Sequence, residues 1–115
     1  MKILITGVAG FIGFHLARSL LIDGCQILGI DNINGYYDEN LKYFRLKKLE
    51  PFKGFTFNKI DISDKESLAS AFKSFQPNKV VNLAAQAGVR YSKSNPFAYI
   101  DSNLHGFLNV IELSR

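Results

Sequence analysis

The sequence predicts an α/β fold: a parallel sheet with helices on both faces and strand order 3-2-1-4, forming the N-terminal half of a larger doubly wound sheet. Three observations lead there. Short continuous apolar runs alternate with segments of helical periodicity, which is the pattern of βαβ units. A glycine-rich turn falls between the first run and the first helix. At 115 residues and 47% hydrophobic content, the chain has enough apolar surface for one core and one domain.

The elements follow in order. Lys2–Thr6 is a short apolar run suited to a strand buried on both faces. Residues 12–22 place Ile12, Leu16, Leu20 and Leu21 on one helical stripe, and Asp23-Gly24 supplies the stop. Residues 25–31 form a second apolar run ending in an acid, after which Asn32, Asn34 and Gly35 read as a loop. Residues 38–49 are helical, with Leu41, Phe44 and Leu49 recurring at helical spacing, closed by Pro51 and Gly54. Residues 55–60 are the third strand. Ser63 or Asp64 caps a helix running to Phe75 that carries Leu68, Ala71, Phe72 and Phe75 inward before Pro77-Asn78 breaks it. Residues 79–84 are the fourth strand. A last helix starts near Pro96 and presents Phe97, Ile100, Leu104, Phe107, Leu108 and Ile111. Right-handed crossovers between parallel strands give the order 3-2-1-4 and leave the fourth strand at an edge. An edge that apolar is normally covered, so further strands are expected to follow in a longer parent.

Composition excludes several classes. The single cysteine, Cys25, has no disulfide partner and reads as a buried strand residue, which points to a reducing compartment such as the cytoplasm. The apolar start is broken by glycines and followed by His15 and Arg18, unlike a secretory signal, and no run approaches the roughly 20 apolar residues of a membrane span. The net charge of +4 is modest. Its concentration between Lys42 and Lys53 reads as the solvated face of a helix rather than a nucleic-acid surface. No metal-ligand spacing occurs, and His15 and His105 read as ordinary helix residues.

The chemistry begins at Gly7-Val8-Ala9-Gly10-Phe11-Ile12-Gly13. A dinucleotide site needs a tight turn, backbone close enough to touch a pyrophosphate, a helix packed near the strand and amides aimed at the anion. Gly7, Gly10 and Gly13 meet those demands in order. Asp31 ends the second strand 18 residues after Gly13, near the distance expected for an acid that hydrogen-bonds the adenosine ribose. The fold is therefore read as Rossmann-type. A carboxylate at that point repels a 2′-phosphate, and no arginine or lysine lies between residues 31 and 41, so NAD is expected over NADP. Asp61-Ile62 and Leu83-Ala84-Ala85-Gln86 end the third and fourth strands, where such sheets bind ligands, although strand ends are also acidic or small for structural reasons.

Together, TGVAGFIG, the strand-end DN, the DI after strand three and LAAQAGVR after strand four resemble the extended short-chain dehydrogenase/reductase superfamily along the whole chain. Within it, DNINGYYDENLKYFRL with NLAAQAGVRYSKSNPFAYIDSNLHGFLNVIE looks like the UDP-glucuronate 4-epimerase group of NAD-dependent nucleotide-sugar epimerases and dehydratases. The resemblance implies epimerisation at C4 of a UDP-sugar through a 4-keto intermediate, with bound NAD as hydride carrier and a Ser or Thr with a Tyr-x-x-x-Lys pair moving the protons. These catalytic residues are expected beyond Arg115, leaving the chain inactive by itself. The cofactor residues implied are Gly7, Gly10, Phe11, Ile12, Gly13, Asp31, Asn32, Asp61, Ile62, Leu83, Ala84, Ala85, Gln86 and Asn103. Asn103 reads equally as a helix-packing residue. Arg90 is a candidate for the substrate side, where its guanidinium would meet a carboxylate or phosphate oxygen, or else a surface loop arginine. Asn82 stands where many members have histidine. The last helix is implied in a homodimer interface. UDP-glucose 4-epimerase or 4,6-dehydratase chemistry shares the same cofactor half, and a non-catalytic NAD sensor is the alternative from another class.

Overall fold

A computed structural model describes residues 1–33, 39–84 and 106–114. Four parallel strands, β1 (Lys2–Thr6), β2 (Gln26–Asp31), β3 (Phe55–Lys59) and β4 (Lys79–Asn82), form one sheet in the order β3-β2-β1-β4. The register sets Ile3 beside Ile27 and Lys79, and Ile27 beside Phe55. This is the predicted order. The helices are α1 (Phe11–Ile22), α2 (Glu39–Leu49), α3 (Lys65–Phe75) and α4 (Gly106–Ser114).

Side-chain alternation along β1 divides the core in two. Ile3 and Ile5 pack with Val8, Phe14, Ala17 and Leu21 of the α1 side and with Leu46 and Leu49 of α2. Leu4 points the other way, joining Leu28 and Ile30 of β2, Leu68 and Ala71 of α3 and Val110 of α4. Both faces of the two central strands are thus covered, which explains why their sequences read as unbroken apolar runs.

The helix ends follow local chemistry. Asp64 caps α3, accepting from the Ser67 amide at 3.3 Å and from Ser67 Oγ at 2.7 Å. These hydrogen bonds, the side-chain one first, hold its carboxyl below the usual 3.8. At the other end Gln76 adopts the left-handed conformation and its amide returns to the Phe72 carbonyl. Helix α1 closes at Asp23, as the sequence predicts.

Four expectations about burial need correction. In α2 the inward residues are Lys42, Leu46 and Leu49, whereas Leu41 and Phe44 are 44% and 56% exposed. The stripe runs through positions 42, 46 and 49, and the basic segment is only partly a solvated face because Lys42 is buried. In α1, Ile12 is 67% exposed, and Gly13, Phe14, Ala17 and Leu21 face the sheet. Cys25 precedes β2 and is half-buried. In α4, Val110 and Leu113 meet the core while Phe107, Leu108 and Ile111 face outward. The expected loop at Asn34 and Gly35, and the start of the last helix with Pro96, Phe97, Ile100 and Leu104, lie outside the described residues.

Two stability measurements check this packing. Leu4, with no exposed surface, is expected to cost about 2–5 kcal/mol on Leu4→Ala by urea denaturation. Leu41→Ala on the open face of α2 is expected to stay within about 0.5 kcal/mol despite its equal loss of apolar atoms. For the α3 cap, Asp64→Ala is expected to lower Tm at neutral pH. A lowered carboxyl pKa stabilises the fold above the unfolded value and loses that contribution as pH falls through the folded one, so the Tm difference closes below pH 3.8.

Candidate functional site

The carboxyl ends of β1, β2 and β4 meet at the turn that follows β1. Gly7 leaves the strand with φ +73° and donates to the Ile30 carbonyl at 2.7 Å, which lays the turn across the end of β2. A Cβ on Gly7 would stand 2.7 Å from the Leu83 carbonyl carbon and 2.8 Å from the Ala84 nitrogen. The backbone after β4 therefore runs directly against it. A Cβ on Gly13 would lie 2.2 Å from the Gly7 oxygen, so only glycine lets the first turn of α1 pack onto the loop. Gly10 forms the N-cap of α1 with no capping side chain, and no acidic residue lies in the first turn. The result is a helix N-terminus whose amides and dipole favour an anion.

Asp31 closes β2 and is 5% exposed. Its Oδ2 accepts from the Ala9 amide at 3.1 Å, and its Oδ1 accepts from the Ile33 amide at 2.9 Å and from Lys42 Nζ at 3.1 Å. The acid thus joins the glycine turn, the segment leaving β2 and α2. Ile33 takes φ 51° with its side chain buried, a left-handed conformation that costs a β-branched residue about 1–3 kcal/mol. Arg45, one turn along α2, donates to the Ala9 carbonyl at 2.9 Å.

Thr6 fixes the third side. Its hydroxyl donates to Asn82 Oδ1 and accepts from the amides of Leu83 at 3.0 Å and Ala84 at 3.1 Å. Asn82 therefore has a definite role: it pairs with Thr6 across the strand ends. Thr6 is fully buried, and this network holds the 83–84 backbone beside Gly7.

Among the expected cofactor residues, Gly7, Gly10, Gly13, Asp31, Leu83 and Ala84 converge at these strand ends. Phe11 and Ile12, each 67% exposed, stand at the open start of α1. Asn32 is half-buried beside Asp31. Asp61 is exposed and turns back on its own loop, accepting from the Ser63 amide at 2.9 Å and hydroxyl at 2.8 Å. Ile62 buries its side chain in the core, and its carbonyl accepts from Asn109 Nδ2 at 2.8 Å. Ala85, Gln86, Asn103 and the substrate candidate Arg90 lie outside the described residues.

Sequence reasoning missed Thr6, Lys42, Arg45 and Asn109. Lys42 carried a signal, since it precedes Leu46 and Leu49 by four and seven residues, the spacing of one helix face. A further correction concerns the Tyr-x-x-x-Lys pair, expected only beyond Arg115: Tyr43 and Lys47 have that spacing. Helix α2 turns both outward, Tyr43 being 48% exposed, so this pair is not directed at the strand ends. Among the described residues no group of His, Cys, Asp and Glu could hold a metal ion, and no helix is long and apolar enough to cross a membrane.

Comparison with known proteins places this geometry in a family. Residues 4–115 match the family model described as GDP-mannose 4,6 dehydratase. The chain is 55% identical to Protein CapI of Staphylococcus aureus, covering 100% of this chain and 34% of that protein. It is 46% identical to the UDP-glucuronate 4-epimerase of Thermodesulfobacterium geofontis, over 97% of this chain and 35% of that one. Among solved structures it superposes on the Bacillus cereus UDP-glucuronic acid 4-epimerase, in complex with UDP-glucuronic acid and NAD, with TM-score 0.87 and 34% identity, covering 98% of this chain and 36% of that one. Against the Thermus thermophilus UDP-glucose 4-epimerase in complex with NAD the TM-score is 0.79 at 37% identity, covering 98% and 33%. The chain spans about a third of the length of the curated relatives it matches. With its four-stranded parallel sheet and its glycine turn held against Asp31, the chain belongs to the GDP-mannose 4,6 dehydratase family.

Proposed function

We propose that this chain supplies the adenosine and pyrophosphate half of the NAD site in a nucleotide-sugar epimerase acting at C4 of UDP-glucuronate. The observation that carries the reading is Asp31 held against the glycine turn by the Ala9 amide, beside an α1 N-terminus that no side chain caps. A ribose needs a hydroxyl acceptor fixed near an anion site, and these residues put both at the strand ends.

The residues fit the cofactor. The space a Cβ would fill at Gly7 and Gly13 is taken up by close backbone packing, which lets the turn present its amides rather than side chains to a pyrophosphate. Asp31 accepts from the ribose, and Phe11 and Ile12 offer apolar surface beside the phosphates. Asp61, Ile62, Leu83 and Ala84 are assigned to the adenine side, and Ala85, Gln86 and Asn103 are assigned to the cofactor with them. NAD supplies the hydride acceptor and donor at the sugar carbon. Arg90 is assigned to the anionic part of the substrate, whereas proton transfer belongs to a Tyr and Lys other than Tyr43 and Lys47. The outward Phe107, Leu108 and Ile111 of α4 are assigned to contact with a second copy.

The choice of UDP-glucuronate is supported by the relatives and structures bearing that activity in their names. UDP-glucose is the second reading, supported by the 37% identity to the Thermus thermophilus enzyme.

The test is to incubate the full-length protein with UDP-glucuronate, without added NAD, and follow the C4 configuration by proton NMR. Appearance of UDP-galacturonate is the expected outcome. An unchanged spectrum with NAD added, together with turnover of UDP-glucose, would replace the substrate assignment. No turnover of either sugar would favour a regulatory nucleotide sensor. At the cofactor site, Gly13→Val is expected to weaken NAD binding by at least about tenfold by calorimetry, because even a single Cβ meets the Gly7 oxygen at 2.2 Å.

A further inference from the structure

We propose that Asn109 is a positioning residue for the cofactor: from α4 it holds the Ile62–Ser63 peptide, and through that peptide it sets the direction of the Asp61 carboxylate toward the adenine. This rests on the NAD-site reading above.

Asn109 stands on a packing face without being a packing residue. The inward side of α4 runs through Gly106, Val110 and Leu113, and position 109 falls on the same stripe by helical spacing. An amide half-buried there needs a partner, since a polar group withdrawn from water without one costs free energy. Its Nδ2 donates to the Ile62 carbonyl at 2.8 Å, across 47 residues of sequence.

That carbonyl is one end of a rigid unit. The Ile62–Ser63 peptide is planar, so its C=O and N–H turn together. Asn109 holds the C=O, and the N–H donates to Asp61 Oδ1 at 2.9 Å. Ser63 Oγ donates to the same oxygen at 2.8 Å. Both donors to Oδ1 thus come from Ser63, whose peptide α4 grips from the other end. Among the described residues none donates to Asp61 Oδ2, and the side chain is exposed just past the end of β3. A carboxylate only accepts, and the 6-amino group is the donor on the edge of adenine. With Oδ1 occupied, Oδ2 is the oxygen left for that group. Without Asn109 the peptide turns about its flanking bonds, the Ser63 amide leaves Oδ1, and the carboxylate loses its fixed direction.

The competing role is mechanical, a tie between α4 and the β3–α3 connection. A loosened fold weakens every nucleotide alike. A positioning role weakens only a nucleotide that offers the 6-amino donor, and nicotinamide hypoxanthine dinucleotide carries an oxygen in place of that group.

The experiment measures binding of NAD and of nicotinamide hypoxanthine dinucleotide by calorimetry to the full-length protein, freed of bound nucleotide, for wild type and Asn109→Leu. Wild type is expected to bind NAD about tenfold or more tightly than the analogue. Asn109→Leu is expected to weaken NAD by about tenfold and the analogue by less than about threefold, so that the preference collapses. Asn109→Ala makes the same comparison if the leucine variant does not fold. In an Asp61→Ala background, Asn109→Leu is expected to change NAD binding by less than about twofold, because its effect runs through that carboxylate. A preference for NAD kept by both Asn109 variants, or a loss undiminished without the Asp61 carboxylate, overturns the role of Asn109 and leaves the NAD site standing. Wild type binding the two nucleotides equally overturns it together with the adenine-side assignment of Asp61, and wild type binding neither overturns the NAD site as well.

Discussion

The structure depends on one close approach, that of the first turn of α1 to the end of β1. Gly13 sits so near the Gly7 carbonyl that a methyl group would overlap it at 2.2 Å. A larger residue there would lift α1 off the sheet, and Phe14, Ala17 and Leu21 would lose their contacts with Ile3 and Ile5. The same approach aims the start of α1 at the mouth of the sheet. Packing and function therefore share a single steric requirement.

Asp31 is the second point on which the site turns. Three elements donate to its carboxylate, and one of those donors belongs to Ile33, whose left-handed backbone carries strain. The buried Ile33 side chain and the hydrogen bond to Asp31 together hold that conformation. Removing the acid would leave Lys42 buried without a counter-charge, a cost that hydrophobic packing around α2 does not offset. The ribose-binding group is thus part of the architecture as well as of the chemistry.

Much of this was legible because it is written in local patterns. Apolar runs gave all four strands, the glycine spacing gave the turn, and Asp64 declared the start of α3. Where the reading failed, tertiary contacts overrode the local pattern. Leu41 and Phe44 looked like a core stripe, yet α2 turns Lys42 inward because a buried carboxylate at the end of β2 compensates the ammonium. Ile12 looked like core and is exposed because Gly13 takes the position against the loop. The Asn109 bond to the Ile62 carbonyl joins residues 47 apart, and Thr6 reaches Leu83 and Ala84 over 77 and 78. Nothing in a linear pattern announces such pairs.

The central claim is that the glycine turn, α1 and Asp31 form one nucleotide site. A crystal structure of the full-length protein with NAD tests it most directly. The account predicts the pyrophosphate on the amides at the start of α1 and an adenosine ribose hydroxyl bonded to Asp31. Nucleotide bound elsewhere, with Asp31 contacting only Ala9, Ile33 and Lys42, would contradict it.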